Sequence, residues 1–209
     1  VKELFSQLLQ KRAGDVKEST LARYRFLIER HILPALGELT VNKLTAERLQ
    51  SFLNEKRANG ALRGGGLSAK SVRDICVLVR SALRLAAEIF PSVEAMSHVK
   101  LPPYRQRKIQ VLSEGEIQRI AAYALASPTP ENIGILLCLN TGLRLGELCA
   151  LRWSDIDFYS GTVRVERTVQ RVNFGGKTRL LIQSPKSESS IRSVPVSYTH
   201  LTLPTNREV

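Results

Sequence analysis

An arginine in an apolar segment is the first residue of this sequence that could do chemistry. Arg144 stands between Leu143 and Leu145, directly after a Thr-Gly turn, in the most apolar part of the chain. An unpaired charge is very costly to bury, so this guanidinium must be paired or must meet an anion. Glu147 follows about one helical turn later and can orient it. The spacing alone favours an internal Arg–Glu pair over a phosphate-binding site.

Lys186 is a second candidate, at the tip of a predicted hairpin that begins at Ser184. A lysine on a flexible tip can swing onto a phosphate or donate a proton. Lysines at hairpin tips are also ordinary surface residues. The position of Lys186 does not by itself decide between these roles.

The charge distribution points to a polyanion as partner. The 209 residues include 31 Lys and Arg against 19 Asp and Glu, a net charge of +12. Residues 1–108 hold 20 of those cations and 10 of those anions, so the excess lies in the first half. A basic half favours nucleic acid as partner, although a solvated basic surface accounts for the same numbers equally well.

Composition and cysteine usage exclude several classes of protein. At 43% hydrophobic residues the chain can form a core, and its longest apolar run, Ile133 to Leu139, is far shorter than the ~20 residues of a membrane span. Cys76, Cys138 and Cys149 make an odd number, which predicts buried free thiols rather than disulfides. None has a metal-ligand spacing with a histidine. We expect a soluble cytoplasmic protein without a metal or membrane partner.

Helical periodicity dominates the first hundred residues. Ser19, Thr45 and Ser68 each stand where an N-cap would precede a helix. The longest predicted helix runs from Ser68 to Phe90 with an apolar face formed by Val72, Ile75, Val79, Leu83, Ala86 and Phe90. Its flank is basic and carries Lys70, Arg73, Arg80 and Arg84.

Residues 101–110 are predicted to form a basic linker between two domains. Two prolines that cannot continue a helix are followed by Arg105, Arg107 and Lys108. Such a stripe of cations suits an arm laid along a phosphate backbone. Basic linkers that bind no ligand are common too.

The second half changes from helical to strand-like patterns. Ser113 and Glu116 form a capping box that opens a helix, and residues 131–140 predict a buried apolar helix. Residues 162–167, 180–182 and 191–196 then alternate with period two, which favours three strands in one small antiparallel sheet. The expected fold class is therefore mainly α with a small antiparallel β-sheet, an α+β protein.

Several segments together resemble the tyrosine recombinases, the phage-integrase family. Residues 140–157 resemble the first catalytic box of that family and read NTGLRLGELCALRWSDID. Residues 184–195 resemble its lysine-bearing hairpin and read SPKSESSIRSVP. The segment from Val111 to Glu116 is similar to the opening of its catalytic domain, and residues 19–37 and 67–72 are similar to its helical core-binding domain. The resemblance covers residues 1–196 in order.

The resemblance implies a domain organisation. Residues 1–100 would form a helical, SAM-like core-binding domain, residues 101–110 the linker, and residues 111–196 the N-terminal half of the catalytic domain. Residues 197–209 begin with a motif that resembles a reading frame of a sequencing adapter, and we expect them to be a non-native tail.

The resemblance also implies residue roles. Arg144 matches the first catalytic arginine, which holds the scissile phosphate. Glu147 matches the acidic residue that supports it, and Lys186 matches the general acid for the leaving 5′-hydroxyl. In this family a tyrosine attacks the DNA backbone and forms a 3′-phosphotyrosyl link. That chemistry needs neither a cofactor nor a small-molecule substrate.

The sequence departs from the family downstream. The His-x-x-Arg box, a second His or Trp and the nucleophilic tyrosine are not found, and Tyr198 and His200 follow the hairpin too directly to replace them. We therefore expect this fragment to bind double-stranded DNA without cleaving it. The expected DNA contacts are Lys70, Arg73, Arg80, Arg84, Arg105, Arg107 and Lys108.

For the full-length protein, the family implies a tetramer assembled on two DNA sites. It also implies a bacterial or phage-encoded protein that is located in the cytoplasm and associated with the nucleoid. Two alternatives stay open. One is a naturally truncated, non-catalytic DNA-binding protein that occupies recombination sites. The other is an adaptor whose helical domain binds protein, which predicts no affinity for DNA.

Overall fold

The computed structural model describes residues 1–87, 98–104, 106, 108–174, 176–185 and 190–196. The chain divides into two compact units. The first extends from Val1 to Arg107 and takes in Val172–Thr178. The second extends from Lys108 to Arg171 and continues from Arg179. The structure is mainly helical with small antiparallel sheets, so the predicted α+β fold class is confirmed.

Helices form most of the first unit. The α-helices are α1 (Lys2–Ala13), α2 (Glu18–Leu27), α3 (Leu33–Leu36), α4 (Ala46–Asn59) and α5 (Ala69–Ala87). A π-helical turn (Ile28–Ile32) joins α2 to α3, and a short 3₁₀ helix (Val41–Lys43) precedes α4.

Two of the three predicted N-caps are confirmed. The hydroxyl oxygen of Thr45 accepts a hydrogen bond from the Arg48 N–H at 3.2 Å, and that of Ser68 accepts one from the Ser71 N–H at 3.1 Å. The prediction at Ser19 is wrong, because α2 already begins at Glu18 with the extended Lys17 as its N-cap. Ser19 therefore lies within the first turn of the helix.

The core of the first unit is one continuous apolar cluster, whose members among the described residues lie between Leu4 and Val99. Helix α5 contributes its predicted inward face, and Ile75 and Val72 are almost completely buried there. Phe90 lies outside the described residues. Because the opposite flank of α5 stays at the surface, its cations are positioned by the packing of the apolar face.

The second unit contains shorter elements. Its α-helices are α6 (Glu114–Ala126), α7 (Pro130–Thr141) and α8 (Leu145–Leu148), and a 3₁₀ helix spans Trp153–Asp155. The strands are β1 (Ile156–Asp157), β2 (Thr162–Val165), β3 (Thr168–Phe174), β4 (Lys177–Gln183) and β5 (Arg192–Pro195). The end of β3 and the start of β4 fall within Val172–Thr178 and so belong to the first unit.

The described strands form two sheets instead of the predicted one. Strands β1, β2 and β5 form an antiparallel sheet in which Val163 lies opposite Val194 and Val165 lies opposite Arg192. The predicted strand at 180–182 belongs to β4, which pairs with β3 in a separate two-stranded sheet. Gly176, at a φ of +87°, supplies the left-handed backbone that a tight turn between β3 and β4 requires.

Two expectations about burial are wrong. The apolar helix α7 is only partly covered: Gly134 is buried, whereas Ile135 is 43% exposed. Of the free cysteines, Cys76 is buried, Cys138 is half-buried and Cys149 is exposed. Both errors fall in the second unit. An apolar segment is buried only where another element packs against it, and the sequence of the segment does not show whether one does.

Candidate functional site

The turn between α7 and α8 places Arg144 at the surface. Gly142 ends α7 in the left-handed conformation, at a φ of 66°, and Arg144 follows as the extended N-cap of α8. The Arg144 side chain is 72% exposed. The expectation that this arginine is a buried charge is therefore wrong, and its guanidinium is open to solvent.

The buried charge at this turn is Glu147. Its side chain is only 4% exposed and contacts Arg144 in two ways. The Arg144 backbone N–H donates to Oε2 at 3.0 Å, and the Arg144 guanidinium Nη1 donates to Oε1 at 2.8 Å. The predicted Arg144–Glu147 pair is thus present, and the carboxylate fixes both ends of the arginine.

A second arginine, which the sequence reasoning missed, completes the site. Arg192 at the start of β5 donates from Nη2 to Oε2 of Glu147 at 2.9 Å and from Nη1 to Oε1 at 3.3 Å. Its Nη1 also donates to the Ser190 carbonyl at 3.2 Å. The one sequence signal was its place at the head of the alternating strand, directly after the lysine-bearing segment.

The electrostatics of this cluster keep Glu147 ionised. Hydrogen bonds from Arg192 are the largest influence, and those from Arg144 add to them. Together they lower the pKa of Glu147 to about 2 against the opposing effect of burial. The Arg192 pKa is raised for the same reason, by its hydrogen bonds to Glu147. The cluster thus holds one negative and two positive charges at neutral pH.

A similar turn eight residues further along serves as an internal comparison. Asp155 is buried, accepts a hydrogen bond from the Arg152 backbone N–H at 2.8 Å, and pairs with the Arg167 guanidinium. Within the described residues, no hydrogen bond joins the Arg152 side chain to Asp155. The two turns share an architecture, but at Glu147 the carboxylate also positions an exposed guanidinium.

The predicted cations of α5 lie on one flank, with different partners. Lys70 is exposed, and its Nζ lies 3.4 Å from Oδ1 of Asp74. The other oxygen of that carboxylate, Oδ2, pairs with Nη2 of Arg23 at 2.7 Å. The half-buried Arg73 donates from Nε to the Pro102 carbonyl at 3.0 Å.

Further along the same flank, Arg80 is half-buried and Arg84 is exposed. In the described part of the chain, neither of these two makes a hydrogen bond or an ion pair. Of the four cations predicted to bind DNA from α5, Arg80 and Arg84 therefore have the fewest described partners to give up on binding a phosphate.

The remaining predicted site residues are only partly described. Lys186, Arg105 and Arg107 lie outside the described residues, so their predicted roles stay predictions. Lys108 is exposed. In the described ranges, no three His, Cys, Asp or Glu side chains lie together as metal ligands would, and no helix is long and apolar enough to cross a membrane.

Two family models match this arrangement of a helical unit followed by an α+β unit. The phage integrase N-terminal SAM-like domain matches residues 1–57, and the phage integrase family matches residues 110–201. These matches define the class as the phage integrases and their relatives. The chain belongs to the tyrosine recombinase family.

Curated relatives agree with this assignment. The chain is 26% identical over 181 residues to the phiRv2 prophage integrase of Mycobacterium tuberculosis, covering 87% of this chain and 45% of that protein. It is 30% identical over 162 residues to the tyrosine recombinase XerC of Xanthomonas campestris, covering 76% of this chain and 47% of XerC. The chain thus spans about half the length of these relatives.

Solved structures share the fold. The Tn1549 transposon integrase, solved in complex with a circular intermediate DNA, aligns with a TM-score of 0.73 at 19% identity, over 94% of this chain and 60% of that one. A lambda integrase dimer bound to a COC′ core site aligns with a TM-score of 0.61 at 23% identity, over 86% and 47%. At these identities the likeness establishes the fold alone.

Proposed function

We propose that this chain is the DNA-binding and phosphate-holding part of a site-specific recombinase. In its full-length form the protein would break and rejoin DNA through a 3′-phosphotyrosyl intermediate. Residues 1–100 would bind the duplex as the core-binding domain. Residues 111–196 would supply the first half of the catalytic site, with residues 101–110 as a basic arm between them.

The single observation that carries this proposal is the exposed Arg144 guanidinium, fixed by a buried carboxylate within the segment that resembles the family's first catalytic box. A donor that is held rigidly before the substrate arrives stabilises the charge on a scissile phosphate without reorganisation. Removing one such donor typically costs about 10²–10³ in rate. Lys186 would act as general acid on the leaving 5′-hydroxyl.

The partner we propose is double-stranded DNA. The net charge of +12 and the basic flank of α5 support a phosphate backbone as ligand. The neighbouring Tn1549 and lambda integrases were solved on DNA, and one lambda integrase structure is a tetramer bound to a Holliday junction. For the full-length protein we propose the same kind of assembly, a tetramer on two DNA sites in the bacterial cytoplasm.

Duplex binding is tested by the fluorescence anisotropy of a labelled 30-base-pair duplex at several salt concentrations. With about 6–10 phosphate contacts, affinity should fall by ~10³–10⁵ between 50 and 200 mM salt. A flat salt dependence, or no binding at all, would contradict the proposal and favour an adaptor that binds protein.

Cleavage is tested with a duplex that carries a 5′-bridging phosphorothiolate, which traps a phosphotyrosyl adduct. We expect this chain to bind the duplex and to form no adduct resistant to denaturing electrophoresis. An adduct would show that a tyrosine of this chain is a nucleophile, and would refute the proposed division between binding and cleavage.

A further inference from the structure

We propose that Arg192 is a positioning residue for Arg144, acting through Glu147. This inference rests on the proposed function, because it concerns how Arg144 is presented to a DNA phosphate. It assigns to β5 a role beyond forming the small sheet.

The hydrogen-bonding capacity of the carboxylate is the first argument. An ionised carboxylate accepts about four hydrogen bonds. From the described residues Glu147 receives four, two on each oxygen, and each oxygen is shared between Arg144 and Arg192. With Arg192 in place the carboxylate has no other favourable orientation, so the guanidinium of Arg144 is held in one direction.

Arg192 also changes the net charge of the cluster. If the Glu147 carboxylate were paired with Arg144 alone, it would neutralise the charge of Arg144 and compete with an incoming phosphate. Arg192 shares that negative charge, so the three side chains carry a net charge of +1. The Arg192 side chain is 28% exposed and that of Arg144 is 72% exposed. The excess positive charge is therefore accessible mainly at Arg144.

The anchoring of Arg192 is the third argument. Directly opposite residues on antiparallel strands direct their side chains to the same face of the sheet. Arg192 lies opposite Val165, which is fully buried. The sheet thus fixes the arginine that in turn fixes Glu147.

A double-mutant cycle on duplex affinity tests the assignment, using Arg144→Ala, Arg192→Gln and the double variant. A hydrogen bond to a charged group contributes enough to change affinity by about tenfold. We expect each single variant to weaken binding by up to that factor. We expect Arg192→Gln to have no further effect once Arg144 is removed, because its contribution passes through Arg144.

Arg164→Gln is the matched control. Arg164 is on the neighbouring strand β2, its side chain is 66% exposed, and its substitution removes the same charge. Arg164→Gln should weaken duplex binding by the same factor whether Arg144 is present or replaced by alanine. An equal effect of Arg192→Gln in both backgrounds would overturn the assignment, since the arginine would then act only through its charge.

Arg192→Lys separates positioning from folding. Lysine keeps the charge but cannot make the two-pronged contact with the carboxylate. We expect a thermal midpoint between those of wild type and Arg192→Gln, because the charge is kept, together with weaker binding that depends on Arg144; binding equal to wild type would contradict positioning. A wild-type chain that does not bind DNA would instead refute the proposed function.

Discussion

Glu147 is the residue on which the candidate site depends. Its carboxylate is buried, and three separate groups donate to it: the Arg144 N–H, the Arg144 guanidinium and the Arg192 guanidinium. A buried charge without such partners would be strongly destabilising. The same contacts therefore stabilise the second unit and hold the arginine in place.

The pH dependence of stability should reveal this carboxylate. The Glu147 pKa falls from 4.5 to about 2 on folding. Because the folded-state pKa is the lower one, the stabilisation is complete above the unfolded-state pKa and is lost as pH falls from about 4.5 towards 2. At neutral pH it amounts to about 3 kcal/mol. Urea unfolding of wild type and Glu147→Gln between pH 2 and 7 measures it.

The wild-type free energy of unfolding should decline more steeply below pH 4.5 than that of Glu147→Gln. Asp155→Asn is the matched control, since the Asp155 pKa is also lowered, first by hydrogen bonds from Arg167. In Asp155→Asn, the free energy of unfolding should lose the pH dependence contributed by Asp155 and keep the pH dependence contributed by Glu147. Parallel pH curves for wild type and Glu147→Gln would contradict the buried, ionised carboxylate.

Part of this site was predictable from the sequence and part was not. Arg144 and Glu147 are three residues apart, so local spacing was enough to pair them. Arg192 is 45 residues from Glu147, and their contact depends on which strands pair and in which register. Apolar neighbours also misled the expectation of a buried Arg144, because exposed Leu145 flanks it in the structure.

Helix α5 combines an apolar and a basic face, and acidic neighbours modulate the basic one. Asp74 lies on the same flank and pairs with both Lys70 and Arg23. Surface ion pairs of this kind contribute little to stability. Their main consequence concerns DNA binding, because a phosphate would have to displace Asp74 before it could pair with Lys70 or Arg23.

Substituting Asp74 should therefore strengthen DNA binding. Asp74→Asn removes one negative charge and frees Lys70 and Arg23, so we expect a severalfold gain in duplex affinity and a steeper salt dependence. Glu3→Gln, at an exposed position in the first turn of α1, removes the same charge from a different helix. Equal gains from both variants, measured by anisotropy, would mean that only net charge matters.

Arg84 should contribute a phosphate contact of its own. It is exposed on the basic flank, and within the described residues no acid or carbonyl holds it. Arg84→Ala should reduce the magnitude of the negative slope of log affinity against log salt by about 0.9. Arg48→Ala removes an exposed arginine from α4 and should leave the slope unchanged. A slope that is insensitive to Arg84 would exclude this part of α5 from the interface.

At the scale of elements, the sequence predicted features that depend on neighbouring residues, but it did not predict which strands pair. The caps at Thr45 and Ser68 and the inward face of α5 depend on neighbouring residues, and the sequence predicted them. The alternating segments were assigned to one sheet because alternation identifies a strand but not its partner. The pairing of β2 with β5 is non-local, whereas β3 and β4 pair across a glycine turn.

At the scale of the molecule, the two units differ in how much apolar surface they bury. The first unit encloses a continuous core, with contributions from α1, α4 and α5. The second exposes large apolar side chains, including Trp153 at 82% and Tyr123 at 71%. Because burial of apolar surface drives folding, local stability should differ between the units.

Hydrogen exchange measured by mass spectrometry tests this difference. Amides in the middle of α5, residues 72–86, lie against the core and should exchange at rates close to those set by global unfolding. Amides of α7, whose side chains are mostly half-exposed, should exchange orders of magnitude faster, because partial opening of that helix exposes little additional apolar surface. Equal protection of α5 and α7 would mean that the units unfold as one cooperative body, and that the surface on α7 is covered in solution.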